Sequence, residues 1–163
     1  MDAPLASLNR QQKGRLAETI VIATFLSWNF EVFEPEVDDR GIDLIVSPDL
    51  EMFYRIQVKG ITRGSYTFFT QRQFDAATNG GRTAALTYVA YVRLDAKPAP
   101  ETFIVPFSAW NGRSPVFVSR RSEERGEISE LEHGINYSQK NALLLEPYRA
   151  DTVLAELSTR RAD

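Results

Sequence analysis

Between residues 8 and 29 apolar side chains recur at helical spacing, Leu16, Ile20 and Ala23 on one side and Val21, Phe25 and Trp28 on another. The pattern predicts a helix that is apolar on most sides and therefore packs inside. Residues 31–36 alternate as a short strand ending at Pro35, and a polar loop over 37–41 follows. The run Ile42-Asp43-Leu44-Ile45-Val46 is a strand apolar except at Asp43, and Ser47-Pro48-Asp49 turns the chain. Residues 52–59 alternate so that Tyr54, Ile56 and Val58 share one face and Phe53, Arg55, Gln57 and Lys59 the other. Gln57 and Lys59 therefore point the same way.

Thr70-Gln71-Arg72-Gln73 has the form of a capping box, and Asn79-Gly80-Gly81 closes the short helix it starts. Residues 84–94 are apolar on both faces, as in a central strand covered on two sides, and 102–107 reads as its neighbour across the turn Lys97-Pro98-Ala99-Pro100. From 111 to 141 polar and charged residues dominate, which predicts a long loop or insertion of modest order. Asp151 is placed to cap a last helix carrying Val153, Leu154 and Leu157. The order α-β-β-β-α-β-β plus a C-terminal helix predicts an α/β fold, a mixed central β-sheet flanked by helices, with residues 1–163 as one domain. Such a fold class does not specify chemistry.

Composition narrows the chemistry. The 163 residues are 43% apolar and 25% charged, the proportions of a globular domain with a sizeable core. There is no cysteine and one histidine, His133, so thiolate nucleophiles, disulfides and Cys/His zinc sites are excluded, and a metal must use oxygen ligands. The longest apolar stretch, 16–28, is broken by Glu18 and too short for a bilayer, and no basic, then apolar leader opens the chain; a soluble, cytoplasmic protein with no membrane partner is expected. Net charge is only -3, but it is unevenly spread. Residues 31–51 hold eight acids against the single base Arg40, while 53–93 hold six bases against the single acid Asp75. These blocks are either two solvated faces or an acidic site beside a basic surface.

An ionised Asp43 inside an apolar strand costs several kcal/mol, about, unless it is paired or bound to a cation. Gln57 and Lys59 converge with it if their strands are neighbours. Glu18 is flanked at helical spacing by Val21, Ile22 and Phe25, which draw it inward, where Lys59 or a divalent cation would partner it. Two carboxylates, an amide oxygen and a backbone carbonyl such as that of Val58 form an all-oxygen set suited to magnesium or manganese. Such cations stabilise phosphoryl oxygens and acidify water, so the set points to phosphodiester hydrolysis.

Three segments carrying these residues, Lys13-Gly14-Arg15-Leu16-Ala17-Glu18, Arg40-Gly41-Ile42-Asp43 and Gln57-Val58-Lys59, resemble the motifs of the PD-(D/E)xK, or restriction-endonuclease-like, nuclease superfamily. The resemblance covers roughly the first two-thirds of the chain, including Phe103-Ile104-Val105-Pro106 on a later strand, and is greatest to Holliday-junction-resolvase-like and intron-homing-endonuclease-like members. It implies a restriction-endonuclease-like core and magnesium-dependent cleavage of DNA by a homodimer or higher homo-oligomer, manganese being an alternative ion. The motif residues fall on Glu18, Asp43, Gln57 and Lys59. Gln57 stands where most members place Asp or Glu, a QxK form known among them, and Gly41-Ile42 stands where the family name has proline. A neutral ligand weakens cation binding.

The expectation is therefore a divalent-metal-dependent endonuclease in which Glu18, Asp43, Gln57 and the carbonyl of Val58 hold the ion and Lys59 orients or activates the attacking water. Arg15, Arg40, Arg63 and Arg72 are the expected nucleic-acid contacts. The alternatives are a catalytically inactive nuclease-fold module that binds nucleic acid or protein, and an interaction domain in which Glu18, Asp43 and Lys59 form a buried ion-pair network. Asp38 and Asp39 cap the loop or hold a water at the ion. His133 is expected to be a solvated loop residue, and Phe68 and Phe69 to pack under the second helix; the alternative for Tyr66, Phe68 and Phe69 is a stacking surface for exposed bases.

Overall fold

The computed structural model describes residues 5–37, 40–62, 66–121, 123–124 and 127–160. Helix α1 (Arg10–Ser27) starts at Asn9, whose side chain accepts from the Gln12 amide while Gln12 reaches back to the Asn9 N–H, each at 2.9 Å. Strands β1 (Glu31–Phe33), β2 (Leu44–Ser47), β3 (Tyr54–Ile61) and β4 (Tyr66–Thr70) follow, then α2 (Gln71–Ala77), β5 (Thr87–Arg93) and β6 (Glu101–Pro106). The chain continues through β7 (Phe117–Arg120), β8 (Glu123–Glu124), β9 (Glu127–Ile128), β10 (Glu132–Asn136) and α3 (Ala150–Leu157).

The main sheet has the order β1-β2-β3-β5-β6, parallel between β3 and β5 and antiparallel elsewhere. It is the expected mixed sheet, and β5 is an inner strand buried along nearly its whole length. One face packs Tyr54, Ile56, Ala90 and Ile104 against Ala17, Val21 and Phe25 of α1 and Val153, Leu154 and Leu157 of α3. The other face carries Val89, Tyr91, Phe103 and Val105 into a second core with Phe69, Phe107, Trp110, Phe117 and Ile135. The Thr70 capping box forms as the spacing predicts, Thr70 Oγ1 accepting from Gln73 N and Gln73 Oε1 from Thr70 N.

A second sheet, β4-β10-β7, was not anticipated, and it lies largely within the polar segment 111–141. Its strands bury mainly one side: Phe69, His133, Ile135 and Phe117 face inward, while Phe68 and Arg120 on the other side are exposed. That one-sided burial thins the apolar signal, and the pairing joins segments more than 60 residues apart. His133 is accordingly buried, not solvated. Its ring lies against Phe69 and Phe74, with Nδ1 2.9 Å from Ser119 Oγ and Nε2 2.8 Å from Gln71 Oε1. Burial holds its pKa below the ordinary histidine value. The last helix is also capped differently: it begins at Ala150 after Arg149, without a side-chain cap, and Asp151 sits inside the first turn.

Candidate active site

Asp43 stands one residue before β2. Its N–H donates to Ile56 O at 2.9 Å, and its Oδ2 accepts from Val58 N at 2.5 Å. Leu44 pairs with Ile56, so continuing the ladder brings Asp43 alongside Gln57. Gly41 makes this approach feasible: its φ of +66° is left-handed, and a Cβ there would lie 3.2 Å from Gln57 Nε2. Gln57 is 4% exposed, and its Oε1 is buried without a hydrogen-bond partner among the described residues. An unsatisfied buried amide oxygen is costly and calls for a partner. Lys59, two positions on and partly buried, shares its face of the strand.

Lys59 also lines a cleft of about 730 Å³ at the end of β3, with Arg10 and Lys13 of α1 on one side and Tyr66 and Phe68 of β4 on another. The cleft exists because α1 lies close against β3. A Cβ on Gly60 would come 2.5 Å from the Ala17 Cβ, so only glycine permits that contact. Arg10 and Lys13 were not among the expected contacts, although their spacing with Gly14 and Ala17 puts them on the sheet-facing side of the helix.

Other candidates fall elsewhere. Glu18 extends from α1, which covers the Tyr54, Ile56 and Val58 face rather than the face of Gln57 and Lys59. Its carboxylate is 3.0 Å from Arg15, and Arg15 in turn is 3.2 Å from Glu34. Glu18 thus has Arg15 as an ion-pair partner, and these two acids raise the Arg15 pKa. Arg40 is exposed on the loop ahead of Asp43. Arg72 is exposed on α2 and outside the cleft lining, its backbone N–H donating to Glu130. Arg63, Asp38 and Asp39 lie outside the described residues. Phe69 packs under α2 as expected, stacked on Phe74, whereas Phe68 does not: it is 43% exposed.

Among the described residues no three acidic or histidine side chains gather as a cation cage. The oxygen donors at hand are Asp43, Gln57 Oε1 and the Val58 carbonyl, and the orphaned amide oxygen fits a hard cation. A set with one carboxylate among the described residues matches magnesium, which keeps several waters and shares its coordination with substrate phosphates. No helix among the described residues is long and apolar enough to cross a membrane.

No family model and no curated protein matches the sequence. Solved structures do match. The bacterial homing endonuclease I-Ssp6803I superposes with a TM-score of 0.53 at 12% identity, over 92% of this chain and 94% of that one. Hjc, a Holliday junction resolvase from the archaeal hyperthermophile Archaeoglobus fulgidus, superposes at 0.56 and 14% identity, over 93% of this chain and 99% of that one. The fold is restriction-endonuclease-like. In this chain Asp43 leads into β2, and Gln57-Val58-Lys59 lies on β3, the strand that β2 pairs with.

Proposed function

We propose that the protein is a divalent-cation-dependent endonuclease that hydrolyses phosphodiester bonds in DNA. The observation that carries this reading is the buried, unpartnered Oε1 of Gln57 on β3, the strand whose Val58 N–H holds the Asp43 carboxylate. The similarity in fold to a homing endonuclease and a Holliday junction resolvase supports it.

Asp43, Gln57 Oε1 and the Val58 carbonyl would hold magnesium or manganese without Glu18, which pairs with Arg15 on the helix that covers the other face of β3. Bound there, the cation would neutralise charge on the scissile phosphate and acidify the attacking water. The Val58 N–H fixes the Asp43 carboxylate, which keeps the donor set in place before substrate arrives. Lys59 orients the attacking water and steadies the charge that develops on the phosphate, so displacement proceeds in line with no covalent intermediate. Arg15, Arg40, Arg63 and Arg72 contact backbone phosphates. A homodimer, or a larger homo-oligomer, supplies two such sites for a double-strand break, and the enzyme acts in the cytoplasm on DNA.

The Arg15–Glu18 pair and the neutral Gln57 favour a second reading, a nuclease-fold module that binds nucleic acid or protein without cutting. Incubation with supercoiled, branched and single-stranded DNA separates the two. The endonuclease nicks with magnesium or manganese and stops with EDTA; binding without cleavage under every cation condition leaves only the module.

A further inference from the structure

On the outward face of the second sheet, Tyr66, Phe68 and Arg120 form a short row. The Tyr66 and Phe68 rings lie 5.8 Å apart and 26° from parallel, and the Arg120 guanidinium sits 3.9 Å above the Tyr66 ring. Arg120 is steered by Glu132 at 3.8 Å. The Tyr66 ring lies across Gly134 of β10, where any Cβ would overlap it. Tyr66 is therefore held flat by its neighbours, and Phe68 beyond it is 43% exposed at the wall of the cleft that Arg10, Lys13 and Lys59 also line. Phe68 thus offers an open ring face in the same cleft as the cationic side chains of Arg10, Lys13 and Lys59.

We infer that this row is a stacking platform for an unpaired DNA base, with Arg10 and Lys13 on the flanking phosphates. The inference deepens the proposed function by naming the substrate feature: single-stranded or branched DNA whose base is out of the stack. Bases inside a duplex present no free face to a ring, whereas an unpaired base stacks on any aromatic surface without regard to sequence. Cations beside the ring supply the complementary charge for the backbone of such a strand. Because Lys59 lines the same cleft, a base on Phe68 would place neighbouring phosphates toward the candidate active site.

The test is binding in EDTA, at fixed salt, to a single-stranded oligodeoxynucleotide containing 2-aminopurine and to the matching duplex. Wild-type protein is expected to quench 2-aminopurine in the single strand. Phe68→Ala is expected to lower the single-strand-to-duplex affinity ratio about tenfold, within the range for losing one stacked base, and to abolish the quenching. Phe68→Trp, which keeps a ring, is expected to retain both. An unchanged ratio, or quenching that persists in Phe68→Ala, overturns the inference, and it does so alone if the wild type nicks DNA. A wild type that stacks single strands but cuts nothing with magnesium supports the platform and overturns the endonuclease.

Discussion

Asp43→Asn is expected to lower magnesium-dependent nicking by about a thousandfold, the scale of removing one preorganised charge-stabilising group from a reaction centre. Asparagine keeps an oxygen that can accept from Val58 N, so its melting temperature is expected to stay close to that of the wild type. Asp43→Ala removes that acceptor as well. It leaves the Val58 N–H unpaired and is expected to cost about 1–3 kcal/mol of stability in urea unfolding. The pair of variants therefore separates chemistry from folding at one position. Lys59→Ala in the same nicking assay is expected to fall with Asp43→Asn, since both serve one transition state. Wild-type nicking by Asp43→Asn would remove the carboxylate from the mechanism.

Gly60→Val is the substitution with the largest expected effect on folding. Gly60 lies where α1 crosses the end of β3, with the Ala17 Cβ 2.5 Å from where its own Cβ would be and the Lys13 carbonyl 3.5 Å away. A branched side chain there must push α1 off the strand, and overpacking of this kind costs roughly 3 kcal/mol or more. Gly60→Ala is expected to cost less, and Ala17→Gly added to it is expected to restore part of the loss, because it removes the atom that clashes. Glycine inside the helix limits that recovery by about 1 kcal/mol. Urea unfolding of the four proteins gives the coupling. If the two changes are additive, the contact between Ala17 and Gly60 does not set the helix position.

Much of this arrangement was legible in the chain. The spacing that predicts α1, the alternation of β3, the two-sided apolar run of β5 and the Thr70 capping box all depend on neighbours close in sequence, and each is found. The placement of Asp43 beside Gln57 followed from two adjacent strands. Features set by distant partners were not legible. β4 of the second sheet pairs with β10 more than 60 residues further on, and the polar composition of 111–141 masked β7 and β10 and His133 with them. Phe68 and Phe69 are adjacent in sequence, and only the strand's alternation decides that Phe69 enters the core while Phe68 faces the cleft. For Glu18 the signal was present in the chain: Arg15 lies three residues earlier, the spacing of a helical ion pair, and it answers the carboxylate more locally than Lys59.

The proposed activity requires a divalent cation against Asp43 and Gln57. Anomalous diffraction from crystals grown with manganese and uncleaved DNA measures it directly. A manganese peak is expected within coordination distance of the Asp43 carboxylate and Gln57 Oε1, at roughly 2.0–2.6 Å for hard-cation oxygen ligands. A protein that cleaves DNA while its manganese lies away from both residues would contradict it.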